Sequence, residues 1–301
     1  MTLKMKKILL TGVNGQVGHA LQKRLLNHNV VALNRDQLDL IDTDAIRRVV
    51  RTIQPDLIIN PAAYTAVDKA ETEPDLAYAI NAVAPQVLAE EAARLNAAFI
   101  HFSTDYVYDG TKSSAYIEID SVNPISVYGK SKLAGEEAIR LVGLPHLILR
   151  TSWVYGAYGK NFLKTIIRLA SERESLRIVA DQYGAPTSNE SIADAVVSLL
   201  TVWQINDASQ TGIYHLTNQD KTSWHGFSEA IVEEYQGLAA NKNWPPLIAN
   251  KIVPISTADY PTPAARPANS YLDNSKLNQV FGVTLPIWQQ GLQQVMHSLV
   301  L

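Results

Sequence analysis

Cysteine is absent from the 301 residues of this sequence. A chain without thiols can form no disulfide, carries no thiolate nucleophile and supplies no sulfur ligand for a structural zinc site. These classes of enzyme and of metal site are therefore excluded. A composition without cysteine is also compatible with a reducing compartment, and we predict a cytoplasmic protein.

The sequence also lacks an excess of positive charge and any long apolar run. The formal net charge is −3, with acidic and basic residues interspersed, so no basic stripe is available for the phosphates of a nucleic acid. The basic residues 1–7 precede only a short apolar run at 8–10, which is too brief for the core of a signal peptide. No segment approaches the roughly 18 apolar residues of a membrane span. We expect neither a nucleic-acid partner nor a membrane partner.

What the sequence does contain is an alternation of short apolar runs with amphipathic segments. Strands separated by helical stretches predict right-handed β-α-β units and a parallel sheet with helices on both faces. The predicted fold class is α/β, a doubly wound, Rossmann-like parallel sheet with a smaller C-terminal α/β lobe that binds substrate. The runs that we interpret as buried strands are residues 8–10, 30–33, 57–60, 99–103, 146–149, 177–179 and 213–216.

The length of the chain predicts two domains, because a single domain usually has about 100–200 residues. We assign residues 1–152 to an NAD(P)-binding Rossmann domain, and we expect strands near 176–182 and 211–217 to return to it. Residues 153–175 and 217–301 are assigned mainly to the substrate-binding lobe.

The C-terminal lobe is marked by proline. Helical patterns at 224–236 and 288–300 flank a segment in which proline is frequent enough that neither regular sheet nor regular helix is expected. The prolines of this segment are Pro245, Pro246, Pro254, Pro261, Pro263 and Pro267.

A glycine-rich turn follows the first predicted strand. Residues 11–18 read TGVNGQVG and lead directly into a helical pattern. A strand, a glycine turn and a helix start place free backbone N–H groups and the positive end of the helix dipole at one point, which suits a pyrophosphate. A glycine-rich turn without a ligand is the alternative. The predicted cofactor contacts of this turn are Gly12, Asn14, Gly15, Gln16, Val17 and Gly18.

The end of the second predicted strand bears on the choice of cofactor. In this fold an acidic residue usually binds the ribose 2′-hydroxyl there, whereas here Asn34 is followed by Arg35. A guanidinium pairs well with a 2′-phosphate, so NADPH is favoured and NADH stays open. A solvated turn is the alternative role for Arg35. Further contacts to the adenine and to the nicotinamide ribose are predicted at Asp39, Leu40, Ala62, Ala63 and Thr65.

A tyrosine and a lysine, Tyr128 and Lys132, stand four residues apart in a helical segment that follows Pro124. Residues at this spacing lie about 5–6 Å apart on one helix face, so the ammonium group is expected to lower the pKa of the phenol from about 10. Such a phenol can protonate the alkoxide that hydride transfer to a ketone creates. Thr104 follows an apolar strand and is placed to hydrogen-bond the same oxygen. An exposed aromatic with a solvated lysine is the alternative.

Three motifs in order carry a resemblance to a known family. TGxxGxxG at 11–18, STDYVY at 103–108 and YGKSKLAGE at 128–136 resemble those of the dTDP-4-dehydrorhamnose reductases, in the extended branch of the short-chain dehydrogenase/reductase superfamily. The resemblance covers essentially the whole chain, and its further matching segments lie at 60–71, 149–155, 181–187 and 260–267.

The resemblance implies a reaction and a set of residues. The reaction is hydride transfer from NAD(P)H to the C4 ketone of dTDP-4-dehydro-β-L-rhamnose, giving dTDP-β-L-rhamnose in the last step of dTDP-L-rhamnose synthesis. On the matching positions, Thr104, Tyr128 and Lys132 form the catalytic set, and Lys132 also holds the nicotinamide ribose. The implied substrate contacts are Thr104, Asp105, Tyr106 and Trp153 around the sugar, and Asn161, Gln182 and Arg266 around the nucleotide or diphosphate.

Two other functions are compatible with the sequence. A non-catalytic nucleotide-binding subunit, like the regulatory β subunit of methionine adenosyltransferase, is disfavoured by the intact set of Thr104, Tyr128 and Lys132. A nucleotide-sugar epimerase or dehydratase would regenerate its bound cofactor. Dehydratases place acidic residues beside the threonine, whereas Asp105 and Tyr106 supply only one here.

The sequence specifies the metal and the oligomer less well. Some members of the family form magnesium-bridged dimers, so a homodimer and a bound Mg²⁺ both stay open. Glu190 and Asp194 fit one helix face and would suit a cation, but a solvated acidic surface is the better explanation of this pair. We therefore assign no metal-binding residues.

Overall fold

The computed structural model describes residues 7–300 of the chain. The expectations for residues 1–6 and for Leu301 lie outside the described residues. The strands are β1 (Lys7–Leu10), β2 (Asn29–Ala32), β3 (Leu57–Asn60), β4 (Ala98–Thr104), β5 (His146–Thr151), β6 (Val154–Tyr155), β7 (Ser175–Val179), β8 (Tyr183–Gly184), β9 (Thr187–Ser188), β10 (Gly212–His215), β11 (Thr222–Ser223) and β12 (Lys251–Ile255). The helices are α1 (Gln16–Arg24), α2 (Thr43–Ile53), α3 (Val67–Ala70), α4 (Pro74–Tyr78), α5 (Ala84–Arg94), α6 (Val127–Val142), α7 (Phe162–Glu172), α8 (Asn189–Val202), α9 (Trp224–Lys242), α10 (Ser275–Phe281) and α11 (Trp288–Ser298).

A six-stranded parallel sheet in the order β10-β5-β4-β3-β1-β2 forms the centre of the molecule. Every residue of β3, β4 and β5 is buried, as expected for central strands that are covered on both faces. The chain moves outward to β2 on one side and to β4, β5 and β10 on the other. The order therefore reverses between β1 and β3, where the carboxyl ends of the strands open a crevice. The predicted doubly wound fold is confirmed.

Successive side chains of β1 begin two separate hydrophobic cores. Ile8 and Leu10 point to one face of the sheet, and Leu9 points to the other, because side chains alternate along a strand. Helices α1 and α8 cover the first face with Leu21, Ile192 and Leu199. Helices α2, α5 and α6 cover the second face with Ile46, Val50, Leu88 and Ile139.

Strand β7 does not return to this sheet, so the expectation for residues 176–182 is wrong. It pairs instead with β12, in parallel, from Ser175 opposite Lys251 to Val179 opposite Ile255. The apolar residues of β7 belong to a core beside the main sheet, where Leu176 packs with helix α7. Strand β10 lies at the edge of the main sheet, next to β5.

Strand β12 also corrects the expectation that the proline-rich segment lacks regular structure. Pro254 lies inside β12, opposite Ile178. In a two-stranded sheet both strands are edge strands, and every second backbone N–H points away from the partner strand. A proline at such a position therefore removes no hydrogen bond from the ladder.

A third hydrophobic core lies beside the main sheet. Tyr155, Leu163, Phe227 and Trp288 pack together there, and they bring α7, α9 and α11 onto the pair β7 and β12. This core corresponds to the smaller lobe of the sequence prediction, and its role in binding substrate stays a prediction. None of the helices within residues 7–300 is long and apolar enough to cross a membrane.

Candidate active site

The turn between β1 and α1 has the geometry of a phosphate cradle. Gly12 has a φ of +60°, a conformation that side chains with a Cβ rarely adopt. The N–H of Gly15 donates to the carbonyl of Gly12 at 2.9 Å, and Gly15 is the N-cap of α1. A Cβ on Gly18 would lie 2.2 Å from the carbonyl oxygen of Gly12. This close contact directs the helix start, with its free amides and dipole, at the mouth of the turn.

A cavity of about 480 Å³ opens in front of this turn. Of the predicted cofactor contacts, only Gly18 does not line this cavity, because it packs beneath the turn. Those that line it are Gly12, Asn14, Gly15, Gln16, Val17, Asn34, Arg35, Asp39, Leu40, Ala62, Ala63, Thr65, Tyr128 and Lys132. A glycine cradle and a cavity at the switch point of the sheet fit a dinucleotide.

The carboxyl end of β4 places Thr104 and Asp105 beside the cavity. Both side chains are buried, and the Thr104 hydroxyl donates to Asp105 Oδ1 at 2.9 Å. The second carboxylate oxygen, Oδ2, has no hydrogen-bond partner among the described residues. Burial raises the pKa of the Asp105 carboxyl to about 6, against the opposing effect of hydrogen bonds from Ser270 and Thr104. A buried carboxylate with an unused oxygen suits a substrate hydroxyl.

Tyr128 lies in the first turn of α6, which Ser126 caps by accepting from the N–H of Gly129 at 3.1 Å. The helix can approach the end of β4 because Gly129 has no side chain, since a Cβ there would lie 2.2 Å from the carbonyl oxygen of Tyr106. The ring of Tyr106 packs edge-on against Tyr128, with 5.5 Å between the ring centroids. Tyr128 and Thr104 therefore meet at one point, as the sequence predicts.

The pKa of Tyr128 departs from the sequence expectation. Burial of the phenol raises its pKa to about 12, while a hydrogen bond with Thr104 lowers it and the charge of Asp105 raises it. The expectation that Lys132 lowers this pKa is wrong for the structure as it stands. The reason is that a phenolate in a dry site loses its hydration, while two of the three N–H groups of Lys132 face Phe102 and His101.

Lys132 is almost fully buried, at 1% exposure. Its ammonium donates to the carbonyl of Phe102 at 2.6 Å and lies 3.2 Å from Nε2 of His101, both on β4. Burial lowers the pKa of Lys132 to about 8, and the charge of Glu136 opposes this effect. Lys132 thus lines the cavity, and its ammonium group is bound by residues of β4.

None of the predicted substrate residues lines the cavity itself, although Thr104 is hydrogen-bonded to Tyr128, which does. Trp153 adopts a φ of +47° and stacks on Trp224, with 3.5 Å between centroids. Gln182 is 6% exposed and donates to the hydroxyl of Thr257 at 3.1 Å. Trp153 is therefore engaged by Trp224 of α9, and Gln182 by Thr257, which follows β12.

Asn161 and Arg266 each have protein partners. Asn161 caps α7 and donates its amide to Gln16 at 3.0 Å and to the carbonyl of Gly156 at 2.7 Å, so its hydrogen-bonding groups are in use. Arg266 forms a two-point ion pair with Asp68, at 3.0 and 2.9 Å. The side chain of Arg266 is still 22% exposed. A diphosphate would therefore compete with Asp68 for Arg266. Asn161 instead connects the start of α7 to Gln16 at the start of α1.

Comparison with known proteins agrees with this site. Residues 5–301 match the family described as the RmlD substrate binding domain. A dTDP-4-dehydrorhamnose reductase from Burkholderia thailandensis is 47% identical over 290 residues, which are 95% of this chain and 96% of that protein. The chain belongs to the dTDP-4-dehydrorhamnose reductase family.

Solved structures within this reductase family have the same fold. A dTDP-4-dehydrorhamnose reductase from Clostridium acetobutylicum is 36% identical, with a TM-score of 0.88 over 97% of this chain and 99% of that one. One from Bacillus anthracis, solved in complex with NADP, is 35% identical, with a TM-score of 0.88 over 98% of this chain and 100% of that one.

The acidic pair considered for a cation, Glu190 and Asp194, is held by an arginine. Arg24 of α1 contacts Glu190 at 2.9 Å and Asp194 at 2.5 Å, both on α8. Within residues 7–300 no cluster of three or more acidic or histidine side chains is arranged to hold a metal ion. The guanidinium joins the two helices where a cation would otherwise neutralise the acids.

Sequence reasoning missed several residues of the site. Ser103, Thr151 and Lys160 line the cavity but were not predicted. Ser103 and Thr151 stand at strand ends, so the rule that selected Thr104 also applies to them. Asn81, in a π-helical turn between α4 and α5, accepts from the N–H of Tyr64 at 2.8 Å and donates to Ser131 at 3.0 Å. No local pattern marked this residue.

Proposed function

We propose that this protein reduces the C4 ketone of dTDP-4-dehydro-β-L-rhamnose to dTDP-β-L-rhamnose with NADPH, the last step of dTDP-L-rhamnose synthesis. The observation that carries the proposal is the meeting of Thr104, Tyr128 and Lys132 beside the glycine cradle, in a member of the reductase family. A bound nicotinamide cofactor would supply the hydride. The residues of the chain orient the ketone and supply the proton.

Tyr128 is suited to donate that proton. A phenol whose pKa is raised to about 12 stays protonated at neutral pH. The alkoxide that forms at C4 is more basic still, since an aliphatic hydroxyl group is about as weakly acidic as water, with a pKa near 16. The proton therefore moves downhill from Tyr128 to the alkoxide oxygen. Thr104, hydrogen-bonded to the phenol, would orient the same oxygen.

NADPH is the proposed cofactor, with NADH as a weaker alternative. Asn34 and Arg35 line the cavity where the fold usually presents an acidic residue to the adenosine ribose. A carboxylate at this position would repel a 2′-phosphate, whereas Arg35 attracts it. NADP bound to the Bacillus anthracis relative supports this choice.

The smaller lobe is proposed to hold the nucleotide part of the substrate. Trp153 contacts Trp224 and Gln182 contacts Thr257, both on the side of this lobe. Arg266, paired with Asp68, is a cation that a diphosphate could compete for. We retain the homodimer as a proposal, to be tested by light scattering.

The test is a measurement of cofactor stoichiometry with the purified protein. We expect one NADPH oxidised for each molecule of dTDP-4-dehydro-L-rhamnose consumed, and no oxidation without this substrate. Turnover of the sugar with only a catalytic amount of cofactor would instead identify an epimerase or dehydratase. Binding of nucleotide without turnover would identify a regulatory subunit.

The proton donor is tested by Tyr128→Phe. This change removes only the phenolic oxygen, so the fold and the binding of NADPH are expected to persist. The rate should fall by about 100-fold or more, the typical contribution of a general acid. Single-turnover kinetics would measure the loss, and near-normal turnover would remove Tyr128 from the mechanism.

A further inference from the structure

A line of buried polar side chains crosses the sheet from the phosphate turn to the catalytic lysine. The Thr11 hydroxyl lies 2.6 Å from Asn60 Oδ1, Asn60 Nδ2 lies 3.2 Å from His101 Nδ1, and His101 Nε2 lies 3.2 Å from Lys132 Nζ. Each of these four side chains is at most 2% exposed. Burying a polar group without a hydrogen bond costs free energy, so each of these four side chains is expected to have a hydrogen-bond partner.

The protons of this line can be counted. The ammonium of Lys132 has three N–H donors and no acceptor. One N–H donates to the carbonyl of Phe102. A second points at His101 Nε2, which accepts only if it carries a lone pair. Burial and the neighbouring ammonium hold the pKa of His101 well below its usual value, so the ring is neutral. Its one proton must therefore reside on Nδ1.

The proton on Nδ1 favours one orientation of the Asn60 amide. The backbone of Asn60 offers His101 a hydrogen bond, but the side-chain amide nitrogen of Asn60 now faces Nδ1, and two N–H groups facing each other are unfavourable. A half-turn of the amide about its Cβ–Cγ bond presents Oδ1 to His101 and directs the amide N–H to the Thr11 hydroxyl. The N–H groups that link Lys132 to His101, His101 to Asn60 and Asn60 to Thr11 then each meet an acceptor.

We propose that His101 is a positioning residue for Lys132. As a neutral ring with its proton on Nδ1, it accepts one N–H of the ammonium and leaves the third N–H free to point into the cavity, toward Tyr128 and the cofactor ribose. The anchor at Thr11 connects this orientation to the phosphate turn. The expected effect on rate depends on the proposed reductase function. The tautomer of His101 does not depend on it.

Two substitutions of His101 distinguish the effect of its hydrogen-bond acceptor from the effect of the volume of its ring. The amide of His101→Gln reaches the level of Nε2 and can still accept from Lys132, whereas the shorter His101→Asn reaches only the level of Nδ1. We expect His101→Asn to lose about 10- to 100-fold in kcat, the range for a lost hydrogen bond to a charged group. His101→Gln should recover most of this loss, and affinity for NADPH, measured by fluorescence titration, should change little in either variant.

His146 provides the matched control. It is also a buried histidine of the sheet, but its Nδ1 lies 2.8 Å from the carbonyl of Leu144, away from Lys132. His146→Gln should keep the kcat of the unmodified protein. Equal losses in His101→Gln and His101→Asn would overturn the proposal, because they would show that the ring acts only by packing.

The tautomer is tested without any assay of activity. Long-range ¹H–¹⁵N correlation spectra of the protein with ¹⁵N-labelled histidine distinguish Nδ1–H from Nε2–H rings. We expect His101 to be neutral and Nδ1-protonated between pH 6 and pH 8, which follows from its burial. An Nε2–H or a doubly protonated ring would refute the inference. An Nδ1–H ring in a protein that lacks reductase activity would refute only the proposed function.

Discussion

At the scale of single residues, the site combines two groups whose burial works against their charged forms. Asp105 and Lys132 both lie within the protein with pKa values shifted toward neutrality, to about 6 and about 8. A protein selected only for stability would not keep such groups. Their cost is consistent with a role in binding and in turnover.

Asp105→Asn should therefore stabilise the protein. The pKa of Asp105 is raised in the fold, so the fold favours the protonated form. The ionised form is penalised fully above pH 6, and the penalty fades below about pH 4. A shift of this size corresponds to about 3 kcal/mol. We expect chemical denaturation to show a gain of about 2–3 kcal/mol at pH 8 and much less at pH 4.5. An equal gain at both pH values would mean that the carboxyl charge is not the cause.

Arg35→Glu should exchange the cofactor preference. A carboxylate at the cavity edge repels the 2′-phosphate of NADPH and can accept from the 2′-hydroxyl of NADH. The KM for NADPH should rise by about tenfold or more, as for a lost charge-assisted hydrogen bond, while the KM for NADH should fall. Lys130→Glu is the control, since Lys130 is exposed on α6 and does not line the cavity. An unchanged ratio of the two KM values would leave Arg35 a surface residue.

At the scale of elements, the phosphate turn and α1 depend on close backbone contact. A Cβ at Gly18 would lie 2.2 Å from the Gly12 carbonyl oxygen and would push α1 away from β1. Gly18→Ala should therefore weaken NADPH binding and lower the free energy of unfolding. Gly237→Ala on α9 is the matched control, because no atom lies within 4 Å of the new methyl group. It should stabilise the protein by about 0.5–1 kcal/mol. Calorimetry of both variants would check this contrast.

The elements also show how far sequence reasoning reaches. Each of the seven predicted strands exists, because apolar runs between glycine turns and amphipathic helices are local signals. The partner of β7 could not be read from the sequence, since pairing with β12 depends on contacts across 76 residues of chain, from Ser175 to Lys251. The local strand signal of residues 175–179 is the same in either sheet.

The candidate site could be predicted where the spacing of residues along the sequence determines their relative positions. The glycine turn and the pair Tyr128 and Lys132 depend on short-range periods of strand and helix. The direction of the Lys132 side chain and the partners of Asn161 and Arg266 depend on tertiary contacts. For this reason the pKa of Tyr128, which follows from burial, was predicted with the wrong sign.

At the scale of the whole molecule, two tryptophans test the proposal that the main sheet binds the cofactor and the smaller lobe binds the sugar nucleotide. Trp288 is buried in the core of the smaller lobe, and Trp203 is buried in the core beneath the main sheet. Trp288→Ala should cost about 3–5 kcal/mol and raise the KM for the sugar nucleotide more than the Kd for NADPH. Trp203→Ala should have the opposite pattern. Loss of NADPH binding in Trp288→Ala alone would contradict the assignment of substrate to the smaller lobe.

The pairing of β7 with β12 also sets an order of events during synthesis. The core that these strands cover takes residues from Tyr155 through to Leu299, so its last members are made only as translation ends. By contrast, β1 to β5 are complete by Thr151. The nascent chain can thus assemble most of the main sheet while Leu163 and Leu176 are still exposed to solvent. Exposed apolar side chains favour aggregation, so we expect the need for a chaperone to be greatest in this interval.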